Sequence, residues 1–438
     1  MTEPLYQKQT SLAVENFAIS GQPMPPGFIH ALGFVKAACA SVNKELGLLD
    51  EKRAEAIWQA ATQVANGKHD DAFPVDIYQT GSGTSTNMNA NEVIASIASN
   101  ASGLDIHPND HVNMGQSSND VIPTTIHVST MIASHNQLLP ALKKLADTIK
   151  QKMHDAEGLI KTGRTHLMDA MPVKFSQEMS GWRTQLLQAV ERFTDTHNRL
   201  SQLAIGGTAV GTGINTHPEF GARVSSALTQ QLGLTFFVTD NHFSALSAQD
   251  TALEYAGQLN VLASSVMKIS NDLRWMNSGP LSGLGEISLT KLQAGSSIMP
   301  GKVNPVIPEA TAMASAQVMG LHTAMTVANQ SGNFQLNVML PLIGANLLTG
   351  IALLANSCEH LAEKAISDMQ FNGDAAAETL SKNPILVTAL NAKIGYEKGT
   401  QIAQKAYKEK RAVIDVAKEE TDLSEEELKT LLDPAKLV

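Results

Sequence analysis

Apolar residues recur through the middle of this chain in alternating steps of three and four. Leu138, Leu142, Leu145 and Ile149 keep that rhythm, as do Leu186, Val190, Phe193, His197 and Leu200. It returns in Leu259, Leu262, Val266, Ile269 and Leu273, and again in Leu347, Ile351, Leu354, Cys358 and Leu361. A strand would alternate at every second residue, whereas these steps draw one apolar stripe along a helix and suit helices packed nearly parallel or antiparallel. The rhythm predicts an all-α chain with long bundle helices near 119–153, 172–204, 246–275, 303–330 and 339–365. At 438 residues the chain exceeds what one hydrophobic core serves, about 250–300 residues, so several domains are expected. Residues 1–100 read as shorter helices and loops. His197 lies inside an apolar stripe and reads as a packed, hydrogen-bonded core histidine.

Residues 331–357 carry no charge, which raises the question of a membrane span. Asn333, Gln335, Asn337, Pro341, Asn346, Thr349 and Asn356 are too polar for a lipid-facing helix, so burial inside protein is expected, with no membrane partner. The net charge of −10 and the lack of a basic block exclude the electrostatic footprint of a nucleic-acid binder. Two isolated cysteines, Cys39 and Cys358, fit neither a disulfide framework nor a zinc site and point to a reducing cytoplasm. The first residues show no targeting pattern. Near the C-terminus, 419–427 reads as a capped, solvated helix.

Four polar clusters interrupt the helical text. They are Thr80-Gly-Ser82-Gly-Thr84; His107-Pro-Asn109-Asp110 running on to Ser117-Ser118-Asn119-Asp120; Gly163-Arg-Thr165-His166; and Gly295-Ser296-Ser-Ile-Met-Pro-Gly-Lys302-Val-Asn304-Pro, followed by Glu309. Each falls at a predicted helix end or inter-helix loop, where bundles place ligand sites. The last is a loop by its prolines and glycines, and few charges flank it, which predicts a partly shielded Lys302. Hydroxyls, backbone N–H groups and one cation suit anion chemistry. Plainer readings stand beside this: Ser117 to Asp120 caps a helix, and His107 to Asp110 forms a turn rather than a metal site with His111. The Gly-rich connectors at 76–91 and 206–215 lack the lysine of a phosphate loop.

Taken together and in this order, these segments resemble class II fumarases of the fumarase/aspartase superfamily. The resemblance extends through Gln79, Asn87-Met-Asn89-Ala-Asn91-Glu92, Gln116, Gly206-Gly-Thr-Ala-Val-Gly-Thr-Gly213, Ser278-Gly-Pro280, Gly332-Asn-Phe334 and Leu386-Val-Thr-Ala-Leu-Asn391. It implies a subunit of three domains: an N-terminal helical domain (1–116), a central five-helix bundle (117–367) and a small C-terminal helical domain (368–438). It also implies a homotetramer with twenty bundle helices and active sites shared between subunits, acting on a small dicarboxylate with neither cofactor nor metal.

By the same resemblance, Ser296 is the base at C3 of malate, and Lys302 with Asn304 holds the carboxylate that takes up the charge. His166, paired with Glu309, is the acid/base at the departing hydroxyl. Ser82, Thr84, Ser117, Ser118, Asn119 and Thr165 bind substrate carboxylates, and His107, Asn109 and Asp110 form a second anion site. The function implied is reversible hydration of fumarate to L-malate in the tricarboxylic acid cycle. Aspartases carry glutamine at the position of His166, and hydroxide, a poor leaving group, needs the general acid more than ammonia does. Two departures favour the alternative of an aspartate ammonia-lyase or related lyase: Val306-Ile-Pro-Glu309 and Phe73-Pro-Val-Asp76 read like aspartases. A third, Asn113-Met114-Gly115-Gln116, lacks the lysine that fumarases usually carry there.

Overall fold

The computed structural model describes residues 4–438. Strands occur among the described residues only as three two-stranded pairs, and all other regular structure is helical. The long helices are Leu139–Asp155, Phe175–Leu200, Asp250–Met276, Val306–Gln330 and Leu340–His360. The apolar stripes are buried along their length, with only Val190 and His197 half-buried. Burial of such a stripe, more than helix propensity, holds helices of this length.

Chain contacts cluster into two compact units. One comprises Met1–Ala141, Ala189–Ser264 and Ala314–Asn356, the other Leu142–Gln188, Ser265–Met313 and Ser357–Val438. Each long helix contributes residues to both.

Local departures from the sequence reading have physical causes. The stretch expected as one helix over 119–153 is Ser118–Ala133 and Leu139–Asp155 joined by a single π-helical turn, Ser134–Leu138. Within that turn Ser134 Oγ meets His197 Nε2 at 2.8 Å, and the His197 ring stacks on Tyr255, so His197 is the hydrogen-bonded core residue its stripe predicts. Residues 1–102 hold longer helices than expected. Pro26–Glu45 and Thr84–Ser102 run 20 and 19 residues, rich in alanine and buried on most sides, which blurs a one-sided stripe. Residues 331–339 form a turn, and Leu340–His360 follows as a helix; 72% of the most apolar window there is buried inside the chain. The acidic stretch at 419–427 is not one helix. Val413–Glu420 ends, and Ser424 opens Glu425–Leu431 with a capping box to Glu427, over a separate small core containing Leu390, Ile402, Val416 and Leu428.

Candidate active site

In the first unit two helix N-termini carry the hydroxyl cluster. Thr84–Ser102 begins after Thr80-Gly-Ser-Gly, and Gly81 is required there because a Cβ would lie 1.8 Å from the Val338 carbonyl oxygen. Ser118–Ala133 begins with a capping box: Ser117 Oγ accepts from the Asn119 N–H, while the Ser117 N–H donates to Asp120 Oδ1. Helix N-termini present unpaired N–H groups and the positive end of the dipole, an anion seat that needs few cations. Ser82 Oγ and Thr84 Oγ1 are 2.8 Å apart, and Asn87, one turn into the first helix, donates to Ser118 Oγ at 3.0 Å. The structure therefore gathers Ser82, Thr84, Ser117 and Ser118. Asn119 is partly committed, since its Nδ2 donates to the Ala209 carbonyl of the glycine-rich connector. Asp120 is fully buried and accepts from the N–H groups of Ser117, Gly206 and Thr208; burial pushes its pKa up to about 6 against their downward pull.

His107, Asn109 and Asp110, expected as a second anion site, are exposed on the turn Pro108–Val112 and its N-cap. His107 Nδ1 accepts from the Asp110 N–H at 3.2 Å, and His111 Nδ1 accepts from the His107 N–H at 2.8 Å. The Asn109 side chain makes no hydrogen bond among the described residues.

In the second unit, Gly163-Arg-Thr-His does not sit at a helix end. It forms the tip of a hairpin, with Ile160–Thr165 antiparallel to Met168–Lys174. His166 and Leu167 make the two-residue turn with φ of 55° and 60°, the left-handed pair of a type I′ turn usually filled by Asn-Gly. Such a conformation costs a non-glycine residue about 1–2 kcal/mol. Both residues, and Thr165 before them, are exposed. The hairpin's root is fixed by a buried ion cluster: Lys161 Nζ lies 2.7 Å from Glu178 and 2.8 Å from Glu286, whose other oxygen takes Arg164 Nη1 at 2.7 Å. Lys161 also stands over the Phe175 ring. Removing one partner from such a cluster leaves a buried charge uncompensated. Lys161→Met should therefore lower unfolding stability by about 3–5 kcal/mol, measured by denaturant titration. A loss under about 1 kcal/mol would mean that the cluster does not anchor the hairpin.

The loop at 295–305 folds on itself. Gly295 has no room for a Cβ, which would lie 2.0 Å from the Lys302 carbonyl oxygen, and Asn304 Nδ2 donates back to the Gly295 carbonyl at 2.7 Å. Ser296 Oγ accepts two backbone N–H groups, from Ile298 at 3.2 Å and Met299 at 3.1 Å. Lys302, Asn304 and Glu309 line a cleft of about 390 Å³ together with Arg274 and Trp275. Arg274 escaped the sequence reading because it sits within a helix, far from the polar clusters. Contrary to expectation, Lys302 is exposed in the single chain: its neighbours Ile298, Met299 and Val303 are themselves exposed, so the scarcity of flanking charge does not shield it. No hydrogen bond or ion pair joins His166 to Glu309, or Ser296 to either, among the described residues.

The lyase family profile matches residues 1–320, and that of the fumarase C C-terminus matches residues 386–438. A fumarate hydratase class II of Xylella fastidiosa is 58% identical, the match covering 99% of this chain and 92% of the relative. Fumarate hydratase class II 2 of Pseudomonas aeruginosa is 55% identical over 99% of this chain and 94% of its own. The crystal structure of class II fumarase from Schistosoma mansoni superimposes with a TM-score of 0.97 at 38% identity, over 100% of this chain and 96% of the other. On profile, identity and fold alike, this chain belongs to the class II fumarase family of lyases.

Proposed function

We propose that the chain is a hydro-lyase that interconverts fumarate and L-malate, a reading supported by relatives that are named fumarate hydratase. The observation that carries this reading is the seat of Ser296 Oγ, which takes two loop N–H groups. A serine acts as a base only when its alkoxide is stabilised, and pre-oriented N–H donors do so without reorganisation. Ser296 takes the proton from C3 of malate, and the electron pair moves into the neighbouring carboxylate, which Lys302 and Asn304 hold. Collapse of that carbanion expels the C2 hydroxyl, which His166, paired with Glu309, protonates to leave as water. Ser82, Thr84, Ser117, Ser118, Asn119 and Thr165 hold the carboxylates, and His107, Asn109 and Asp110 form a second anion seat.

Completion of the site by other copies of the chain fits two facts: His166 is exposed at a hairpin tip, and large apolar side chains remain uncovered. Leu281 is 96%, Phe334 93% and Ile298 82% exposed. The assembly is a homotetramer whose five-helix bundles give twenty helices, with domains at 1–116, 117–367 and 368–438. Two free, buried cysteines support a reducing, cytoplasmic setting for a tricarboxylic acid cycle role.

The test follows fumarate by ultraviolet absorbance with the purified chain. Malate should yield fumarate and aspartate should not; release of fumarate from aspartate but not malate would overturn the reading. Sedimentation should give about four times the 46.7 kDa chain mass. An active monomer would refute shared sites.

A further inference from the structure

The sequence lacks a lysine beside the Ser117-Ser118-Asn119 cluster, where Met114 and Gly115 stand instead. The fold supplies one from another element. Lys36, on the helix Pro26–Glu45, is wholly buried, and its Nζ donates to Asn113 Oδ1 at 3.0 Å and to Gln116 Oε1 at 2.9 Å. Among helical residues as apolar as Phe34-Val-Lys36-Ala-Ala-Cys39, a buried ammonium requires a specific reason.

The bonds around it have only one consistent direction. An ammonium donates and never accepts, so the atom of Asn113 facing Lys36 is its oxygen. That same oxygen lies 3.2 Å from the Asn87 amide, which must then present its NH₂. The other Asn87 hydrogen goes to Ser118 Oγ at 3.0 Å. Ser118 Oγ therefore accepts on its protein side and keeps its own hydrogen for the other side. Gln116 and Asn113 are locked in the same sense, by Gln116 Nε2 to the Val112 and Met114 carbonyls and by Asn113 Nδ2 to the Gln116 carbonyl.

We propose that Lys36 is a positioning residue for the carboxylate seat: its ammonium sets the polarity of a relay through Asn113 and Asn87 that leaves the Ser118 hydroxyl hydrogen free to donate to a substrate carboxylate. The proposal rests on the reading of Ser117, Ser118 and Asn119 as carboxylate binders. It also places a full positive charge behind a seat whose other donors are neutral, and buried charge acts over longer range than exposed charge.

Three titratable groups meet in this cluster, and they separate by pH. Burial pulls Lys36 down to about 8, burial pushes Cys39 on the same helix up to about 12, and Asp120 at the head of the facing helix stands at about 6. Between about pH 7 and 9.5, then, Lys36 alone of the three changes charge.

The experiment measures kcat and KM for fumarate across that pH range in the wild-type chain, Lys36→Met and Ser118→Ala. In the wild type, KM should rise about tenfold toward the alkaline end with kcat changed less than about threefold. Lys36→Met should show the raised KM already at about pH 7 and remain flat thereafter. A folded Lys36→Met with wild-type KM overturns the relay; a wild-type KM independent of pH overturns the part assigned to the charge, since the neutral amine still has two hydrogens for Asn113 and Gln116. Should Lys36→Met not fold, Asn87→Leu decides, because it removes the donor to Ser118 Oγ: a raised KM is expected, and an unchanged KM overturns the relay. Ser118→Ala keeps the two failures apart: an unchanged KM there refutes the carboxylate-seat reading itself, whereas a raised KM with no Lys36 effect refutes only the relay.

Discussion

Ser296→Ala should all but abolish turnover, by on the order of 10³-fold or more, within the range for a lost proton-transfer group. The Ser296 hydroxyl oxygen sits in a turn made by the N–H groups of Ile298 and Met299. Alanine removes the oxygen and leaves those donors aimed at an empty position. The packing loss is small, since Ser296 is half-exposed and its side chain has no other hydrogen bond among the described residues. The Gly295–Lys302 approach and the Asn304 brace remain. The variant should therefore keep wild-type unfolding behaviour while losing kcat, a split that separates chemistry from folding. Turnover within tenfold of wild type, followed by fumarate absorbance, would remove Ser296 from the role of base.

His166→Asn should lower kcat by on the order of 10²-fold or more, the loss of a general acid at a poor leaving group. Asparagine is the informative replacement because of the backbone. His166 holds φ at 55°, and asparagine is, after glycine, the residue most at ease in that left-handed region. The substitution keeps the hairpin turn and removes the titratable ring, whereas alanine would also strain the turn. Asparagine can neither take up nor release a proton, so the acid/base function goes while the turn stays. Hydration of fumarate at the wild-type rate would refute the assignment.

The hairpin also marks where sequence reading stopped. The long helices were legible because burial repeats along one face: Leu347, Ile351, Leu354, Cys358 and Leu361 lie on a stripe and are all fully buried. The capping box at Ser117 and Asp120 was legible for the same local reason. The strand Ile160–Thr165 was not. It contains Lys161 and Arg164, which read as surface or loop, and its turn is His-Leu rather than a pair of turn formers. Both cations are neutralised by Glu286, more than a hundred residues away, and nothing in the local text announces that partner. The relay from Lys36 was hidden likewise, since it joins residues 36, 87, 113 and 118 across three segments. Chemistry assembled from distant segments leaves only its separate members in the sequence, here the Gly-Arg-Thr-His and Gly-Ser-Ser texts.

Cys39 and Cys358 are both fully buried, and burial pushes each thiol up to about 12. Cys39 belongs to the first compact unit and Cys358 to the second. Alkylating reagents attack the thiolate, so neither sulfur is available while its surroundings stay closed. The chain thus carries one sealed reporter in each unit. The rate at which each thiol becomes labelled measures how often that unit opens, so the local stability of the two halves is readable separately without introducing a single foreign residue.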